Sequence, residues 1–112
     1  MTNCKKWNVI LVPFPFTDLS SAKRRPALIV SPDAYNAEKD VVIAYLTSQL
    51  NSPPRFGDYK LRKWKAANLP KPSMVRMKFA TIDKTIIVKI LGALEAADCE
   101  KIEEIILSFF KS

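Results

Sequence analysis

Up to residue 95, the apolar residues of this chain come in short, β-prone runs, and only then does a helix-length pattern begin. The runs Val9 to Phe14, Ala27 to Val30, Val41 to Leu46, Ser73 to Phe79 and Ile86 to Leu94 predict strands, with a shorter one around Tyr59 to Leu61. Pro13 and Pro15 cannot donate ladder hydrogen bonds, so the first strand is expected to end there or lie on an edge. Thr17 to Arg25 then reads as a polar loop that closes on Lys23-Arg24-Arg25 before Pro26. Pro26 biases Arg25 towards extended backbone and leads into Ala27-Leu28-Ile29-Val30, whose unbroken apolar character predicts burial on both faces. Ser31-Pro32-Asp33 breaks this strand. The third strand carries Thr47-Ser48-Gln49 at its C-terminal end.

Residues 51 to 71, rich in Pro, Lys and Arg, read as a long excursion with one helical turn around Trp64 to Asn68. From Ala96 the period changes. Cys99, Ile102, Ile105, Ile106, Phe109 and Phe110 recur at three- and four-residue spacing opposite Glu100, Glu103 and Glu104, which predicts an amphipathic terminal helix with its apolar stripe in the core or at a dimer contact. Asp98 falls in its first turn, where the helix dipole favours a negative charge. The sum is an α+β protein: a strongly bent, barrel-like antiparallel sheet with a C-terminal helix, expected as one domain over residues 1 to 112.

The formal net charge of +7 is unevenly spread. Residues 1 to 94 hold 16 Lys/Arg against 6 Asp/Glu, and residues 95 to 112 hold 2 against 5, so a basic body carries a mildly acidic tail. Such a field draws in polyanions, making nucleic acid or an acidic polypeptide the natural partner. No apolar run approaches the roughly 20 residues that span a bilayer, and no secretory cleavage pattern is evident, so a cytoplasmic location is expected. Cys4 and Cys99 have neither metal-ligand nor redox spacing and read as structural thiols.

With no histidine, imidazole acid/base chemistry and Ser-His triads are excluded. Two glycines, Gly57 and Gly92, make neither a P-loop nor a dinucleotide fingerprint. No metal site or cofactor is expected. An enzyme of this composition must use Arg, Lys, hydroxyl, carboxylate and backbone groups. One reaction on RNA suits them, because the adjacent 2′-hydroxyl is a nucleophile supplied by the substrate, leaving the protein to align it and stabilise a charged phosphorane.

The strings Val9-Ile10-Leu11-Val12-Pro13-Phe14-Pro15-Phe16-Thr17-Asp18-Leu19 and Lys23-Arg24-Arg25-Pro26-Ala27-Leu28-Ile29-Val30 resemble the opening of MazF/PemK-type bacterial toxins. Ala44-Tyr45-Leu46-Thr47-Ser48-Gln49, Leu69-Pro70-Lys71-Pro72-Ser73, Thr81-Ile82-Asp83-Lys84 and Leu91-Gly92 continue the pattern in order, closest to its PemK-like branch. The resemblance implies a small SH3-like, partly open barrel with a terminal helix. It also implies a homodimeric toxin of a type II toxin-antitoxin system, an mRNA interferase that cuts single-stranded RNA without metal and is blocked by a cognate acidic antitoxin. By resemblance Arg25 is the catalytic arginine before proline, and Thr47 the active-site threonine that orients the scissile phosphate. Thr17, Lys23 and Arg24 are expected to bind RNA from the first loop, Ser48 and Gln49 from the end of the third strand, and Arg76 and Lys78 from the strand beside it.

Two positions depart from the family pattern. Lys78 stands where some relatives carry an acidic residue proposed as general base, so no base is assigned. Trp7-Asn8 replaces the usual Gly-Asp before the first strand. Taken alone, Arg25 reads more readily as a solvated loop residue and Thr47 as a strand-end hydroxyl bonded to backbone, and it is the resemblance that favours catalysis. Tyr59 and Trp64 are read as loop anchors in preference to base-stacking platforms, and Asp83-Lys84 as a structural turn. Two other functions stay open: a poison of DNA gyrase, since another toxin family shares the fold, and a non-catalytic RNA-binding or autoregulatory module.

Overall fold

The computed structural model describes residues 3–14 and 23–111. Six strands follow in chain order: β1 (Asn8–Pro13), β2 (Arg24–Ile29), β3 (Asp40–Thr47), β4 (Tyr59–Lys60), β5 (Met74–Asp83) and β6 (Lys89–Ala93). A one-turn helix α1 (Asp33–Asn36) joins β2 to β3, and α2 (Ala96–Lys111) closes the chain. All pairings are antiparallel in the order β4-β5-β3-β2-β1-β6, so the curled sheet has β4 and β6 as its two edges. The α+β half-barrel expected from the sequence is the fold observed.

Alternation along the strands buries both faces. Val9, Leu28, Ala44, Leu46 and Val75 meet Ile102 of α2 on one side. Ile10, Val12, Ala27, Ile29, Val41 and Ile43 form a second cluster on the other. Ala27, Leu28 and Ile29 are all buried, as the continuous apolar run required. β2 starts earlier than the sequence suggests, taking in Arg24, Arg25 and Pro26 where a loop was expected. The β2–β3 ladder stops at Ala27, so the missing N–H of Pro26 deprives no strand of a partner, and the proline is tolerated.

Trp7 adopts φ +74°, the left-handed conformation that a glycine enters freely and a bulky residue does not. Its N–H donates to Ile29 O at 2.8 Å, its carbonyl accepts from Leu94 N at 3.0 Å, and the indole packs on the core. These contacts hold the strained backbone. Asp83 does form a turn: its carboxylate accepts from Thr85 N at 2.9 Å and Thr85 Oγ at 2.8 Å, and those bonds hold its carboxyl below the usual range. Burial pushes the thiols of Cys4 and Cys99 up, as befits structural cysteines.

The stretch from Leu61 to Ser73 spans the gap between the two sheet edges. Ala67 and Leu69 enter the core, and Asn68 donates to Leu91 O of β6 at 2.8 Å. A Cβ on Gly92 would sit 2.6 Å from Ala67 O, so only glycine lets this arm lie flat on β6. At the other end, Asp98 of α2 is fully buried and accepts from Tyr59 Oη at 2.7 Å, Arg62 N at 3.1 Å and Lys63 N at 2.9 Å. Tyr59 and Trp64 both pack on the core and are anchors. Asp98 does far more than complement a dipole.

Candidate functional site

The antiparallel pairing of Ala27 with Tyr45 sets the geometry of the site. Two residues further out on each strand, Arg25 and Thr47 fall on the same face at facing positions, because side chains repeat with period two. They line a cleft of about 260 Å³. Arg24, Arg25 and Lys71 supply its positive charge, Thr47, Ser48 and Ser73 its hydroxyls, and Pro26, Leu46 and Pro70 the remaining wall. Among the described residues, no carboxylate lines it. Three cationic and three hydroxyl-bearing residues around one concave surface are the residue types that suit a phosphate group, although the Ser73 hydroxyl is already engaged, donating to Lys71 O at 2.9 Å.

An aromatic edge adjoins the cleft. The Arg25 guanidinium carbon stands 5.6 Å from the centre of the Phe14 ring, and Phe14 meets Tyr45 edge-on with centroids 6.1 Å apart. The Lys78 ammonium lies 4.8 Å from the Tyr45 ring centre. Lys78 thus joins the site through Tyr45 and does not line the cleft. Cation–π contacts of this kind orient both cations without neutralising them.

The other residues named from the sequence fall as follows. Lys23 is exposed just before β2, and its carbonyl accepts from Phe14 N at 3.0 Å. The Gln49 N–H donates to Thr47 Oγ1 at 3.1 Å, with its side chain exposed. Arg76 is turned away from the cleft and under the segment that follows β3, bonded to Ser52 at 2.9 Å and to Asp58 at 3.4 Å. Thr17 lies outside the described residues. Lys71 and Ser73 went unassigned by sequence reasoning; the signal was Pro70-Lys71-Pro72, two prolines that hold the lysine in extended backbone where the arm returns to the sheet.

A half-open barrel with a cation-lined cleft at one end of the sheet defines the class of protein: a small, basic antiparallel half-barrel with a terminal helix. The family described as "PemK-like, MazF-like toxin of type II toxin-antitoxin system" matches residues 5–110, and the chain belongs to it. No curated protein matches the sequence. Among solved structures, MazF (Form-I) from Deinococcus radiodurans is similar with a TM-score of 0.74 and 18% identity, covering 100% of both chains. MazE-MazF (Form-II) from the same organism gives 0.75 at 16% identity over 98% of this chain and 97% of that one. An endoribonuclease in complex with its cognate antitoxin from a Mycobacterial species gives 0.72 at 23% identity, over 96% and 93%. At these identities the likeness is one of fold.

Proposed function

We propose that this toxin is an endoribonuclease that cuts single-stranded RNA in the cleft between β2 and β3, in the cytoplasm where that RNA resides. The observation that carries the reading is that Arg25 and Thr47 share one cleft with two further cations, Arg24 and Lys71, and with no carboxylate among the described residues. Arg25 stabilises charge on the phosphorane, and Thr47 orients a phosphate oxygen. The 2′-oxygen bonds to phosphorus as the bond to the 5′-oxygen breaks, leaving a 2′,3′-cyclic phosphate and a 5′-hydroxyl. The 2′-hydroxyl proton goes to solvent and the leaving oxygen takes one back, so the step balances without a co-reactant. A similar structure described as an endoribonuclease with its cognate antitoxin supports both the activity and an antitoxin partner. An acidic antitoxin segment fits the same basic cleft, competing with RNA by charge.

The test is incubation of antitoxin-free protein with a long single-stranded RNA in EDTA, beside single-stranded DNA of the same sequence. Discrete RNA fragments and intact DNA are expected. Intact RNA with folded protein would sink the nuclease reading and favour gyrase poisoning or plain RNA binding.

We also infer a homodimer through the far end of α2. Phe56 is 80% exposed and Phe110 66%, and with Phe79 and Phe109 they form one aromatic cluster. A patch of that kind marks an interaction surface. It is rimmed by Glu104 and by Lys111, a combination that a two-fold axis makes self-complementary. Sedimentation velocity is expected to show a dimer for the parent and at least a tenfold weaker association for Phe110→Glu, a loss of about 1.4 kcal/mol. An unchanged dimer would move the interface elsewhere.

A further inference from the structure

We propose that Arg76 is a positioning residue, which locks the Ser48 to Asp58 segment and through it orients the Thr47 hydroxyl, and that it does not bind RNA phosphate. Its guanidinium is held at one end, through Nη2. Nη2 donates to Ser52 Oγ at 2.9 Å and to Pro53 O at 3.4 Å, and lies 3.4 Å from Asp58 Oδ2. With side chains only 13% and 11% exposed, Arg76 and Asp58 form a largely buried pair under the segment, and neither lines the cleft that Arg25 and Thr47 share. Asp58 also accepts from Arg55 N at 2.9 Å, so the one arginine clasps both the start and the end of the turn.

From this clasp a continuous relay reaches the cleft. Ser52 Oγ, which accepts from Arg76, donates to Gln49 O at 2.8 Å. The Ser52 N–H reaches the same carbonyl at 3.3 Å. Residue 49, fixed by its carbonyl, then donates its N–H to Thr47 Oγ1 at 3.1 Å. A threonine hydroxyl has one proton and two lone pairs. With a lone pair already taken by the Gln49 N–H, the Thr47 proton is left to donate, which is the orientation a phosphate oxygen needs.

The pair is a poor source of stability, because Arg76 Nε and Asp58 Oδ1 are buried without a protein hydrogen-bond partner. Geometry is what it supplies. All three contacts fall on Nη2, one bond further along the side chain than a lysine ammonium reaches.

The kinetic arm of the test rests on the nuclease reading; the binding and exchange arms do not. Arg76→Gln and Ser52→Ala are each expected to lower kcat on the order of 10- to 100-fold at little-changed KM, as misorientation does. Arg76→Lys, which keeps the charge, does not restore the rate. Affinity for an uncleavable 2′-O-methyl RNA keeps its dependence on salt in all three variants, and the Gln49 amide exchanges about tenfold faster with solvent in Arg76→Gln and Ser52→Ala. The proposal is overturned if Arg76→Gln reduces the salt slope by about 0.7, the share of one phosphate contact on a single strand, while Ser52→Ala is silent. It is equally overturned if Asp58→Asn alone removes the acid limb of the pH–rate profile, which would make that carboxylate the general base. A parent that cuts no RNA would end the nuclease reading and leave the salt slopes and Gln49 exchange to decide the role of Arg76.

Discussion

Arg25→Ala is expected to cut RNA about 100- to 1000-fold more slowly than the parent while folding and dimerising normally, the scale set by removing one donor that stabilises transition-state charge. The fold makes little use of this side chain. Arg25 is exposed, forms no ion pair among the described residues, and touches the protein chiefly through the Phe14 ring. Its loss should therefore move the melting temperature hardly at all. Binding should suffer less than turnover, because Arg24 and Lys71 line the same cleft and retain most of the electrostatic attraction. Arg25→Lys separates charge from geometry, since an ammonium keeps the charge but loses the planar fork that grips two oxygens, so an intermediate rate is expected. Single-turnover cleavage of a defined oligonucleotide, with a thermal melt of each variant, reads all of this. An Arg25→Ala protein that cleaves within threefold of the parent would remove Arg25 from the chemistry and point to Lys71.

That Arg25 and Thr47 share a site was implied by the family resemblance, while the strands that carry them could be read from the sequence, because strand periodicity is local. The sheet and the terminal helix were legible for the same reason: runs with period two and a stripe with period 3.6 report on their own segments. Arg76 was not legible. Its position on β5 is a strand property, but the partners that turn it away from the cleft, Ser52 and Asp58, belong to an irregular segment whose path depends on tertiary contacts. Asp98 does stand in the first turn, as expected, but its anchoring role was not legible, for a similar reason. A carboxylate in the first turn of a helix is common, and the three donors it meets here come from residues 59, 62 and 63, far away in sequence. Gly92 gave no hint that Ala67 would lie against it. The one-turn helix α1 was missed because four residues carry too little periodicity to register.

Asp98 carries the largest expected effect on stability. Asp98→Ala leaves the Tyr59 hydroxyl and the Arg62 and Lys63 N–H groups without their acceptor, and hydrogen bonds to a buried charge are among the more valuable ones. A loss on the order of 3–5 kcal/mol is expected. For a domain of this size that lowers the melting temperature by roughly 10–25 °C. Asp98→Asn should fall between: its oxygen can keep Tyr59 and Arg62, but its amide group then faces the Lys63 N–H, donor against donor. The damage extends to the cleft, since the arm that Asp98 anchors through residues 62 and 63 carries Lys71 and Ser73. The same contact predicts an alkaline limb. Burial, reinforced by the bond to Asp98, pushes the Tyr59 phenol up to about 12 from its ordinary value of 10.0. The folded state thus holds this proton more tightly than the unfolded chain. Its contribution is complete below about pH 10, declines as the unfolded phenol ionises, and is gone once the folded one ionises near pH 12. Tyr59→Phe has no such proton, so the gap in urea midpoint between parent and Tyr59→Phe should narrow between pH 9.5 and about pH 12, whatever the lysines contribute to both. A gap independent of pH would mean that the phenol is not held by Asp98, and a melting temperature for Asp98→Ala within about 3 °C of the parent would mean that α2 does not anchor the arm.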